Sequence, residues 1–272
     1  MNKMRKGEMY FNWIFILIVG AVFLLFFVGF AVKYKDLQEK KSEIIFLNNF
    51  DSALTNLQSS TFTTSTSIEI PLDINVRCNN NGYSIFVNEN NDIEYIIASK
   101  EKLKNKIYVW YQPYNIPFHA TNFYYMVDDN PLNIFTNNVN LLNSMKEEMP
   151  ENFKSKLNVY QGDKIIINGD ENKGILSVDG NNIPYLGKEM LYGVMLSGNY
   201  SCFYDQAIKE IDRAVLIYEN KARVLGRSGC NYNLVLSRMN ALRDLNNINP
   251  SIIDDIENLN RNLISINCPA LF

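Results

Sequence analysis

Residues 11–32 read FNWIFILIVGAVFLLFFVGFAV, a run without one charged side chain. At 1.5 Å per residue, a helix of about 22 residues spans roughly 33 Å, which matches the hydrocarbon core of a bilayer. A cleaved secretory signal would be shorter in its apolar core and close on a small-x-small site. Tyr10, Trp13 and Tyr34 stand near the two ends, where amphipathic rings favour the membrane interface. The stretch reads as a single transmembrane helix, with the lipid bilayer as its first expected partner.

The pattern does not stop there. No proline interrupts residues 8–59, and Leu37, Ile44, Leu47, Phe50, Leu54 and Leu57 recur at helical spacing. One continuous helix of about 50 residues, near 75 Å long, is expected. Its amphipathic half either docks on the chain's own domain or pairs with a second subunit. Residues 59–67, SSTFTTSTS, form a polar connector.

Beyond the connector the turn chemistry changes to that of a sheet. Ile68 to Val76 alternates as a half-buried strand interrupted by Pro71, hence an edge. Tyr83 to Val87, Ile93 to Ala98, Lys106 to Tyr111, Lys164 to Ile167 and Ile175 to Val178 read as further strands, and Leu191 to Leu196 as a weaker one. Asn80-Asn81-Gly82 and Asp179-Gly180-Asn181 are hairpin turns, and Asn137 to Glu148 is a short helix. The expected fold class is α+β, with a mainly antiparallel β-rich middle and three C-terminal helices.

Those helices are Tyr200 to Leu225, stopped by Gly226; Asn231 to Asn247; and a third capped by Asn249 with Pro250 in its first turn. They constrain the four cysteines, which allow three pairings. Cys202 opens the first helix and Cys230 lies past its end. About 24 helical residues hold their Cα atoms roughly 36 Å apart, whereas a disulfide needs less than about 7 Å. An antiparallel hairpin of the other two helices brings Cys230 to Cys268, leaving Cys78 for Cys202. The alternative is four free thiols in a cytoplasmic domain.

A net charge of −3 excludes broad nucleic-acid binding. No catalytic constellation is legible: His119 is the one histidine, Asp128-Asp129 and Glu147-Glu148 are solvated neighbours, and no phosphate-loop or dinucleotide fingerprint occurs. Neither cofactor nor metal is implied, there being no C-x-x-C. The aromatic stretch with Trp110, Tyr111, Tyr114, Tyr124 and Tyr125 offers either core filling or a surface for a glycan or protein partner. Asn199-Tyr200-Ser201 is a glycosylation sequon.

The N-terminal MNKMRKGEMYFNWIF resembles the class III signal peptide of archaeal type IV pilin-like proteins. In that family a basic leader is cut after glycine, here between Gly7 and Glu8, and the apolar helix stays on the mature protein. The resemblance covers Lys3 to about Val32, and Asn12 stands where bacterial pilins carry glutamate. It implies a subunit that self-associates or anchors through this helix. KGEMYFNWIFILIVGAVFLLFF and YGVMLSGNYSCFYDQAIKEIDRAV also resemble archaeal single-pass membrane proteins, a likeness that carries no activity with it.

The expected organisation is a basic leader (1–7), a transmembrane helix (8–33), its amphipathic continuation (34–60), a β-rich domain (61–198) and a helical segment packed on it (199–272). Lys3, Arg5 and Lys6 before the span balance Lys33, Lys35, Lys40 and Lys41 after it, so charge does not choose a side. The paired cysteines favour a cytoplasmic N-terminus and an extracytoplasmic domain. The function expected is a surface structural or interaction protein, pilin-like. An uncleaved binding module is the alternative, and an extracytoplasmic carboxylate-pair hydrolase is the less favoured third reading.

Overall fold

The computed structural model describes residues 5–60, 65–70, 73–79, 82–86, 90–93, 95–178, 180–243 and 251–272. In chain order the elements are α1 (Arg5–Ser59), β1 (Ser65–Glu69), β2 (Ile74–Asn79), β3 (Gly82–Phe86), β4 (Asn90–Ile93), β5 (Ile96–Ser99), β6 (Lys102–Leu103), β7 (Lys106–Ile116), β8 (Phe118–Asp128), β9 (Leu132–Thr136), α2 (Val139–Glu148), α3 (Glu151–Lys154), β10 (Leu157–Gln161), β11 (Ile165–Gly169), β12 (Lys173–Val178), β13 (Asn181–Leu186), α4 (Lys188–Leu196), α5 (Tyr200–Leu225), α6 (Asn233–Ala241) and α7 (Ile252–Ser265). The chain divides into two units, residues 1–49 and 50–272.

The first unit is helical from Arg5 onward. From Trp13 to Val32 nearly all of its large apolar side chains are exposed, with Leu25 at 70% and Phe26 at 67%. So much uncovered apolar surface is stable only in lipid or against another apolar surface. The helix is long and apolar enough to cross a membrane, which is compatible with an anchor. Leu37 and Ile44, expected on the amphipathic stripe, are exposed.

The second unit is α+β. Its last stretch of α1 buries Phe50, Leu54 and Leu57. One sheet runs β1-β7-β8-β5, with the long β7–β8 hairpin at its centre and β5 parallel to β8. A second, antiparallel sheet runs β4-β3-β2-β6. The third runs β10-β9-β11-β12-β13, parallel at β10–β9–β11 and antiparallel beyond. Antiparallel pairing dominates, as expected, with parallel neighbours only at β5–β8 and β10–β9–β11. Residues 68–76, expected as one strand, belong to two: β1 closes the first sheet while β2 enters the second. Pro71 and residues 80, 81, 87, 179, 249 and 250, on which other turn, strand and cap expectations fell, lie outside the described residues.

Leu191 to Leu196 is helical, not a strand. Every residue of α4 from Met190 to Leu196 is buried, so its sequence shows a continuous apolar run without a helical stripe. Helices α4 and α5 cover the β7–β8 sheet. Trp110 meets Tyr192 of α4 at 4.9 Å between ring centroids, and Phe123 meets Phe203 of α5 at the same distance. The final residues are locked in: Lys221 Nζ donates to the Leu271 carbonyl at 2.5 Å, and Asn260 Nδ2 to that of Phe272 at 2.8 Å.

Candidate functional site

The cysteines stand in two bonded pairs, Cys78 with Cys202 and Cys230 with Cys268, with Cα atoms 5.9 and 5.7 Å apart. The first ties the end of β2 to the first turn of α5. The second joins the residues before α6 and after α7, the pairing expected from an antiparallel hairpin of those helices. Gly7 and Glu8 lie in the opening turns of α1. Asn199 is the N-cap of α5: its Oδ1 accepts from the Cys202 amide at 3.1 Å while the residue stays exposed.

The aromatic stretch does not form a surface. Trp110, Tyr114, Tyr124 and Tyr125 are buried, and Tyr111 is half-buried with its hydroxyl donating to Asn122 at 2.9 Å. The physical reason is that α4 and α5 cover the sheet where Trp110, Phe123 and Tyr125 meet Tyr192 and Phe203, while Tyr124 packs on Tyr95 and Tyr111. Tyr114 and Tyr125 spend their hydroxyls on the Leu186 and Glu189 carbonyls, at 2.9 and 2.7 Å, which pins α4 to the hairpin.

Of the paired acids, Asp128 departs from the expected solvated position, whereas Asp129, Glu147 and Glu148 are exposed. Asp128 is buried and holds Lys100 Nζ at 3.2 Å together with the backbone and side-chain nitrogens of Asn130. Asp129 faces outward, and hydrogen bonds from Lys156 and Tyr108 hold its carboxyl below the usual range. Glu148 is likewise lowered, chiefly by Lys188 at 2.6 Å. His119 is exposed and meets Asn115 Oδ1 at 3.1 Å.

A groove of about 510 Å³ opens where the β7–β8 turn, the β11–β12 turn, the start of α4 and α7 converge. Asp170, Glu171, Glu189, Asp254 and Glu257 line it against Lys173 and Lys188. The balance is acidic, which suits a cationic or hydroxyl-rich visitor and repels phosphates. Among the described residues, no three His, Cys, Asp or Glu side chains gather in a metal-binding group.

Glu189 in the groove has its pKa raised by burial. A carboxyl group raised in the folded state stabilises the fold at low pH. That contribution disappears as pH climbs from the ordinary value of 4.5 through the raised one. Glu189→Gln is therefore expected to melt above the native protein at pH 7 and to lose part of the decline above pH 4.5. Parallel melting curves for the two proteins from acid to neutral pH would refute this.

Sequence reasoning missed the outer face of the third sheet. Its signal was a short repeat: Leu132-Asn133-Ile134-Phe135 in β9 and Leu157-Asn158-Val159-Tyr160 in β10, which pair in register. The rings of Phe135 and Tyr160 stack with centroids 5.4 Å apart, and both residues are exposed. Comparison with protein-family models, curated proteins and solved structures finds no match to this chain.

Proposed function

We propose that this chain is a membrane-anchored surface protein of structural or interaction type, made and processed as a pilin-like subunit. One observation carries the reading. A helix whose exposed apolar stretch suits a bilayer runs on, unbroken to Ser59, into a domain stapled by two disulfides. Disulfides persist in oxidising surroundings, so the domain belongs outside the cytoplasm with the N-terminus inside. The basic residues before Gly7 supply the leader, and the helix from Glu8 onward supplies both anchor and self-association surface. No catalytic role is assigned.

Mass analysis of the N-terminal peptide from membranes is the test. The expected result is a mature chain starting at Glu8, and Gly7→Leu should abolish the cut. Recovery of residues 1–7 on the membrane-bound protein would remove the pilin-like reading and leave an uncut anchor. Domain digestion by protease added to intact cells is expected as well, and full protection would overturn the orientation.

A further inference from the structure

We propose that the outer face of the β10-β9-β11-β12-β13 sheet binds neutral saccharides, independently of how the chain is anchored or processed. The face is built from alternation. In β9, Ile134 points into the core at 3% exposure while Phe135 stands outward at 41%; on β10, Tyr160 stands outward at 47%. Side chains two apart share a face, so each strand presents an asparagine and then a ring.

The parallel register turns this into paired groups. Asn133 lies beside Asn158 and Phe135 beside Tyr160. Asn158 Nδ2 donates to Asn133 Oδ1 at 3.1 Å, and the rings stack with an interplanar angle of 26°. Each asparagine holds the other's rotamer, which leaves Asn133 Nδ2 and Asn158 Oδ1 without a partner among the described residues. Gly162 keeps the chain close to the ring: a Cβ there would stand 3.0 Å from Phe135 Cβ. Asn168 and the half-exposed Ile175 pair across β11 and β12 on the exposed side.

Charge decides the occupant. No Asp, Glu, Lys or Arg occupies an outward position of β9, β10 or β11, or of β12 from Ile175 onward. At those positions a phosphate, an acidic peptide or a basic one would find no charge to pair with. A protein interface of useful size wants a dry apolar centre, and here amides alternate with rings. A neutral pyranose fits both halves. Its C–H face packs on an aromatic ring, and its hydroxyls both donate and accept, as a preset amide pair requires.

The test uses the full chain in a sugar-free polyoxyethylene detergent, titrated with maltohexaose, cellohexaose and N-acetylchitohexaose and followed by ligand-observed NMR. At least one is expected to bind. Phe135→Ala/Tyr160→Ala should weaken it by on the order of tenfold or more. Asn133→Ala should weaken it less while leaving the stack intact. All four residues lie on the sheet surface, so unchanged melting curves will show that the variants fold. Absence of binding by all three probes overturns the proposal, as does full affinity in the double variant. An oligomer that the double variant dissolves without any sugar binding also overturns it, making the face a contact between copies.

Discussion

Replacing Cys78 and Cys202 together by alanine is expected to lower the melting temperature by roughly 8–20 °C. The pair closes a loop with a sequence separation of 124, against 38 for Cys230–Cys268. In the chain-entropy account, loops of these sizes remove about 5 and about 4 kcal/mol of freedom from the unfolded chain. Domains are stable by only about 5–15 kcal/mol, so the longer bridge represents a large share. It also joins parts that little else joins: β2 belongs to the four-stranded antiparallel sheet, and α5 covers a different one. The variant should therefore lose order first around β2–β4, while α5 keeps its packing on β8. Hydrogen exchange resolved by peptide, run beside the melt, checks both. A melting point within about 2 °C of the native one would show that the bridge does not constrain the unfolded chain.

What was legible in the chain follows from where one periodicity dominates. Helix α5 was readable to its ends because Phe203, Ala207, Ile211, Val215 and Ala222 bury one face while charges hold the other. For the disulfide partners, a length excluded one pairing, since a 26-residue helix cannot bring its own ends together, and an expected antiparallel hairpin of the last two helices chose between the other two. Helix α4 was not readable, because burial on all sides erases its stripe. The extent of β7 and β8 was hidden for the same reason, as Tyr124, Tyr125 and Met126 are all buried and show no alternation. The aromatics were conspicuous in the sequence for their number, yet ring count does not reveal which sheet is covered. The Phe135–Tyr160 pair is separated by 24 intervening residues and joined only by a parallel register, which no local pattern encodes.

Gly193→Val is expected to be the most damaging single substitution in the helical layer, costing about 3 kcal/mol. Gly193 lies in α4 where that helix crosses the Phe203 ring, and a Cβ built there falls on the ring's Cε1 and Cζ atoms. Phe203 cannot swing aside: it has no exposed surface, and its other side rests on Phe123. Either α4 lifts from α5 or the ring leaves its rotamer, and both disturb Tyr192 and Trp110 next door. Intrinsic propensity runs the other way. Replacing a helical glycine by alanine gains about 1 kcal/mol, so Gly193→Ala should be destabilised less than valine but still net destabilised. Gly226 is the control. It has helical backbone angles and open space at its Cβ, so Gly226→Ala should be neutral or slightly stabilising. Adding Phe203→Leu to Gly193→Val should restore part of the loss, because the two residues share one volume and their effects are non-additive. Strict additivity in that double-mutant cycle would mean that Gly193 is held for a reason other than the ring.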